Sequence, residues 1–234
     1  MHIDLLCYQQ DEYPLTIIVP EQTVMTITDH ISGLINTRRT IVLVLKEGSF
    51  VRWDTHHAVS NDAQITTDLT VMLAVSAQFT AGWVQTGGTM TKTTLIFELF
   101  GAHAQARMIG RLTGDGTGQH TYTALQLHKA PDTKSFVELK AVLADASRLR
   151  YEGTITIEET GDGSCAHQEQ KNLIVGECAQ VTSIPNLQVL TNDVQCGHGS
   201  AVSYLNEEHL FYLQSRGIDL AQAGRMIIQG FLSI

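Results

Sequence analysis

From Thr40 to about Ala201 the chain is a succession of short stretches in which apolar and polar residues alternate, and no connection between them holds a helical period. Examples are "TKTTLIFELFG", "AQARMIGRLTG", "QHTYTALQLHKA", "KSFVELKAVLAD", "RLRYEGTITIEE" and "SIPNLQVLTND". Each is rich in Thr, Val, Ile or Leu and most stop at Gly, Asp or Asn, which are strand signals with turn residues between them. Doubly wound folds need a crossover helix between parallel strands, so they are excluded. An antiparallel sandwich, a barrel and a parallel β-helix remain, because all three alternate inward apolar with outward polar residues. Two-residue hairpin signals separate them in part. "GDGTG" at 114–118 and "GDG" at 161–163 are the only candidates, and that scarcity favours strands coiled one upon another.

The last thirty residues change period. Leu210, Leu213 and Gln214 keep helical spacing after Asn206, and Gly217 supplies a left-handed helix end. Asp219 caps a second helix with Gln222 as its capping-box partner, and Leu220, Ala223, Ile227 and Phe231 form one apolar stripe. That stripe packs against the strand body or docks onto another protein. The organisation expected is therefore a β domain over 1–204, with 1–39 least defined, and a helical segment over 205–234. Within the early part, "EYPLTIIVP" reads as a strand ended by Pro20, and "TDHISGLINTRR" as a helical turn or another strand.

A net charge of -9 and a pI near 5.5 argue against a nucleic-acid partner, since the fifteen Lys and Arg are scattered. No apolar run approaches the roughly 20 residues that span a bilayer, and the N-terminus lacks a basic, then apolar leader. A cytoplasmic protein without a membrane partner is expected. Cys7, Cys165, Cys178 and Cys196 are far apart and read as reduced thiols.

Several motifs fail on context. "GDGTG" precedes the strand-like "QHTYTALQL" rather than a helix, and "GGTMTKTT" lacks the glycine a P-loop requires before its lysine. Neither G-x-S-x-G nor H-E-x-x-H is present. His56 and His57 fall on opposite faces of a strand and read as solvated surface residues.

Two pairs remain: Cys165 with His167 in "CAH", and Cys196 with His198 in "CGH". Residues i and i+2 of a strand share a face, so each pair presents a thiol and an imidazole together, which is a half-site for a soft metal. The ordinary alternative is a buried free Cys and a hydrogen-bonded core His. Gly197 and Gly199 favour the second pair, since they leave His198 without bulky neighbours along the strand.

The C-terminal ninety residues resemble the SufB/SufD family, the scaffold subunits of the Suf iron-sulfur cluster assembly machinery. The pieces that carry the likeness are "SR…YEG" at 147–153, "QKNLIVG" at 170–176, the P-x-L-x-V from Pro185, "DVQCGHG" from Asp193 and "LFYLQSRGI" from Leu210. "QLHKA" at 126–130 is the last piece upstream. The resemblance implies a right-handed parallel β-helix followed by a short C-terminal α-helical hairpin. It also implies pairing through β-helix ends with a SufB-like paralogue or a second copy, and docking of a SufC-like ABC-type ATPase on the C-terminal helices. On that likeness Leu220, Ile227 and Phe231 belong to the ATPase surface. Cys196 and His198 lie near the subunit interface, with His198 matching the histidine of SufD-type members thought to help hold the nascent cluster.

The cysteine used for cluster building in SufB-type members falls on Ala179, with Cys178 one residue off and so on the opposite strand face. The glutamate after the SufB histidine is Gly199. The chain therefore reads as SufD-like, shortened at both ends, a non-catalytic scaffold with a transient iron-sulfur cluster and no tightly bound cofactor. The alternatives are a stand-alone homodimer without cluster chemistry and a polysaccharide-active β-helix enzyme; the second is disfavoured because 6% aromatic content is low for a sugar groove and no carboxylate pair is set up.

Overall fold

The computed structural model describes residues 1–6 and 14–233. In chain order the strands are β1 (His2–Leu6), β2 (Leu15–Val19), β3 (Val24–Gly33), β4 (Asn36–Leu45), β5 (Phe50–Val59), β6 (Gln64–Leu73), β7 (Gln78–Thr86) and β8 (Met90–Leu99). They continue with β9 (Gln105–Gly114), β10 (Gln119–His128), β11 (Lys134–Ala144), β12 (Arg148–Ile157), β13 (Cys165–Val175), β14 (Gln180–Val189) and β15 (Gln195–Tyr204). Two helices follow, α1 (Glu207–Ser215) and α2 (Leu220–Leu232). Cys7 and the first residues of "EYPLTIIVP" lie outside the described residues; the rest of that stretch is β2, which Pro20 follows.

Odd-numbered strands form one sheet in the order β1 to β15, and even-numbered strands form a second from β2 to β14. Consecutive strands thus alternate between sheets, each pairs with the strand two further on, and every pairing is parallel. The result is a β-solenoid of about 7 turns, the coiled alternative among the three that local pattern left open. "TDHISGLINTRR" is strand, ending β3 and opening β4. "GDGTG" and "GDG" are corners between sheets.

Coiling in register stacks like positions into columns along the axis. One inward column runs Ile27, Trp53, Ala81, Met108, Val137, Gln168 and His198; its neighbour runs Met25, Val51, Phe79, Ala106, Ser135, Ala166 and Cys196. Burial alternates residue by residue, so each strand sends one face to a close-packed lumen and the other to solvent. At the corners the chain passes close to itself: a Cβ on Gly101 would stand 2.0 Å from the Val75 amide nitrogen, so only glycine fits.

The lumen is not uniformly apolar. Arg39, fully buried on β4, donates from Nη1 to Asp29 Oδ1 at 2.6 Å, from Nη2 to Asp29 Oδ2 at 2.5 Å and from Nε to Thr67 Oγ1 at 3.1 Å. His57 completes the cluster, with Nε2 3.2 Å from Asp29 Oδ2 and Nδ1 3.1 Å from Gln85 Oε1. Burial pushes the Asp29 carboxyl up, but the His57 and Arg39 hydrogen bonds and charges more than reverse this and hold it below the ordinary carboxylate value. At His57 burial prevails over the Asp29 contact and lowers it. The expectation for the histidine pair is corrected here: His56 is exposed, whereas His57 is 1% exposed and part of this network. The opposite-face reading holds, but the inward position of a solenoid strand is core whatever its residue type.

Asn206 caps α1 by accepting from the amides of Glu208 and His209, Gly217 takes φ 84° after it, and Asp219 caps α2 through the Gln222 amide. Ala223 is fully buried, Ile227 and Phe231 are half-buried, and Leu220 is 58% exposed. The stripe therefore splits along its length. Its C-terminal half faces the outer side of the odd-numbered sheet: Lys140 Nζ lies 5.9 Å from the Phe231 ring centroid and donates to the Phe231 and Ser233 carbonyls at 3.0 and 2.8 Å. Arg111 Nε donates to the Leu232 carbonyl. The last turn of α2 contains no basic residue, so the sheet supplies the cations that its carbonyl end favours.

Candidate functional site at the open end of the coil

Each coil is sealed by the next, and the last coil has no successor. β14 pairs only with β12, and β15 only with β13, leaving one backbone edge of each free. Pro185 sits in β14, where a missing amide proton is tolerated because one edge makes no ladder. By register the inward residues of β14 are Val181, Ser183, Pro185, Leu187 and Val189, and those of β15 are Cys196, His198, Ser200, Val202 and Tyr204.

Their burial departs sharply from the coil beneath. Ile155 and Ile157 are 0% exposed, while their successors Leu187 and Val189 are 40% and 36% exposed. Asn172 and Ile174 are 1% and 6% exposed, while Val202 and Tyr204 above them reach 49% and 70%. An interior-type surface is thus presented to solvent, contiguous and partly apolar.

His198 is exposed on this surface and Cys196 is half-buried, packed against the cluster of Ile155, Ile157 and Ala166. The i, i+2 reading holds: both follow the inward columns. Gly197 and Gly199 occupy the outward positions between and after them, so the other side of β15 is bare there. Ser200 Oγ lies 3.0 Å from Ser183 Oγ and ties the two sheets together at the rim. Directly below His198 is Gln168, 1% exposed, whose Nε2 donates to the Gly153 carbonyl at 3.1 Å. Gln170 and Asn172 follow it inward, with Gln170 Nε2 donating to Asn172 Oδ1 at 2.8 Å. This amide floor was not foreseen. Its signal is the polar "Q-x-Q-x-N" run of 168–172 at positions where alternation calls for apolar residues.

The other sulfur and imidazole groups are elsewhere. Cys165 and His167 also share a face, but it is the outer one, so the two pairs lie on opposite sides of the same sheet and do not converge. Cys178 is exposed in the connection from β13 to β14, not on a strand, which corrects the opposite-face reading; Ala179 beside it is buried. Counting back from Pro185 carries the strand past its start: β14 begins at Gln180, and both residues fall in the corner at 176–179. Cys165, Cys178 and Cys196 are free thiols.

Among the described residues no three His, Cys, Asp or Glu side chains gather as a metal site. The terminal coil presents one thiol and one imidazole on its rim. No helix among the described residues is long and apolar enough to cross a membrane.

Parallel two-sheet coiling, an uncovered last coil and a C-terminal helical pair define a two-sheet parallel β-solenoid. The family described as "SUF system FeS cluster assembly, SufBD core domain" matches residues 12–231, and this chain belongs to it. It is 32% identical over 190 residues to an iron-sulfur cluster assembly SufBD family protein of Mycobacterium tuberculosis, covering 77% of this chain and 44% of that protein. It is 28% identical over 196 residues to another from Mycobacterium bovis, covering 82% of this chain and 23% of that protein. With the iron-sulfur cluster assembly protein SufB of Bacillus subtilis it shares 27% over 197 residues, 82% of this chain and 41% of that protein. The chain thus spans less than half the length of these relatives.

Proposed function

We propose that this chain is a SufD-like, non-catalytic partner subunit of iron-sulfur cluster assembly, which meets a SufB-like paralogue or a second copy of itself across its open terminal coil. The observation that carries this is the uncovered inner face of β14 and β15, with Cys196 and His198 side by side on it. Interior residues left in water favour a partner that covers them, and free strand edges offer it backbone hydrogen bonds. A cluster in transit is the substrate here. One imidazole and one thiol hold it weakly enough to let it leave, where a closed four-thiolate site would retain it. Gly199, standing where SufB-type members carry glutamate, supports the SufD-like assignment.

A SufC-type ATPase docks on the helical pair in this reading. Leu220 (58% exposed), Phe211 (73%), Tyr212 (56%) and Met226 (43%) support it as an exposed, largely apolar surface, while Ile227 is half-buried and Phe231 sets the helix against the sheet. The work is cytoplasmic. The test is anaerobic reconstitution of the chain with a SufB-type partner and the ATPase, with iron and sulfide counted per complex. His198→Ala is expected to lower cluster content severalfold with the complex intact; unchanged content removes His198 from the site.

A further inference from the structure

Outside the terminal coil, one concave site on the outer face of the odd-numbered sheet stands apart in chemistry. Its volume is about 310 Å³, at the lower end for pockets that hold small ligands. It spans β7, β9, β11 and β13 near their starts, and two adjacent outward columns build it. The first column runs Thr80, Arg107, Phe136 and His167; the second runs Gln78, Gln105, Lys134 and Cys165.

Three features define what this groove can take. Arg107 and Lys134 bring positive charge, and no carboxylate lines the groove, in a chain whose net charge is -9. Neither cation has a carboxylate within ion-pair distance among the described residues, in contrast to Arg52 with Asp54 or Lys171 with Glu169 on the same face. The first column is already stacked: the Arg107 guanidinium lies 4.8 Å from the Phe136 ring centroid, and Phe136 stacks on His167 at 5.9 Å with 16° between planes. The stack then stops, since the next outward position is Gly197, and a Cβ there would stand 3.4 Å from His167 Nδ1 in ordinary contact. Glycine is not required by space at that point, and its effect is to leave the imidazole uncovered.

A neighbouring depression shares Lys134 and Cys165 but includes Asp193 in its lining, so it is the poorer place for a negative ligand. We infer that the Arg107–Phe136–His167 groove is a binding site for a small planar anion, a flat conjugated ring that carries a phosphate or carboxylate. Phe136 already carries Arg107 on one face and His167 on the other, so the ligand ring packs across the outer edge of the column and on the uncovered His167 imidazole, and the acid group meets Arg107 and Lys134. This inference is independent of the reading of the terminal coil. The two sites lie on opposite faces of the sheet, and the groove needs neither a cluster nor a partner subunit.

The experiment is a titration of the isolated chain with adenosine monophosphate, with adenosine and inorganic phosphate as separate arms. Binding is read from the His167 ring resonances and from protection of Cys165 against iodoacetamide, mapped by mass spectrometry. Expected is saturable binding of the monophosphate at least tenfold tighter than either half alone, with Cys165 alkylation slowed and Cys178 alkylation unchanged. Arg107→Ala and Phe136→Ala, both on the outer face, are each expected to weaken it fivefold or more while leaving the unfolding midpoint within a degree or two. Equal response to phosphate alone, no shift at His167 up to millimolar monophosphate, or full binding in both variants overturns the site.

Discussion

The same inward column ends in two different environments. Ile27, Trp53, Met108 and Val137 are buried to 3% or less, closed above and below by neighbouring coils, whereas His198 at the end of that column is exposed. Alternation decides only which face a side chain takes; a following coil decides whether that face is sealed. Residue types track the difference. Inside, the charged groups Asp29 and Arg39 are locked with His57 into one network, while on the last coil Cys196, His198, Ser183 and Ser200 share the inward positions with apolar residues such as Leu187 and Val202. The sealed lumen is core, whereas the inner face of the last coil stands in solvent.

That contrast breaks first, and most visibly, at the buried ion pair. Asp29→Ala leaves Arg39 charged and unpaired in the lumen and is expected to cost about 3–5 kcal/mol in urea unfolding. His198→Ala is expected to stay within about 0.5 kcal/mol, as for an exposed residue. Comparable losses at the two sites would erase the distinction between sealed and open coils.

Acid sharpens it next. Burial depresses His120 and His128 to about 4, so the folded chain resists protons that the unfolded chain accepts near the ordinary histidine value. Their contribution is complete above pH about 6.5 and is lost as pH falls towards about 4, on the order of 3 kcal/mol for each. Asp29, lowered below its ordinary value, adds a further loss at still lower pH, of the same sign. Stability measured between pH 7.5 and 4 should therefore fall steeply, and His128→Gln should flatten the slope. An unchanged slope in that variant would place the acid sensitivity elsewhere.

Gly153 marks the boundary between the two regions. A Cβ there would come within 2.3 Å of Gln168 Oε1 and 2.7 Å of the Tyr151 hydroxyl. Gly153→Ala is expected to cost about 1–3 kcal/mol, as overpacking does, and to disturb the floor under His198. The smallest of the losses belongs to the helix anchor, above only the near-neutral His198→Ala. Lys140→Ala removes a cation from the carbonyl end of α2 and should cost about 0.3–1 kcal/mol, seen as faster amide exchange in 220–232 without change in the solenoid.

Much of this was legible in the sequence. Strand character, both helix caps and the corners at 114–118 and 161–163 follow from residue types acting locally, and the family motifs lie in the same C-terminal part. Register was not legible, because it depends on how many residues each corner consumes. Without it nothing placed Gln168 under His198, or Cys165 on the outer face away from Cys196. His57 was misread for a related reason: a histidine beside a histidine reads as surface until Asp29 and Arg39, 28 and 18 residues away along the chain, are brought to it by the coil.

The central claim is that the last coil is where the chain is completed by another. Hydrogen exchange followed by mass spectrometry, on the chain alone and with a SufB-type partner, tests it most directly. Added protection concentrated in 180–189 and 195–204, with 50–59 and 64–73 unchanged, is the expected result. Protection that appears only on other surfaces, with both terminal strands exchanging as before, would contradict it.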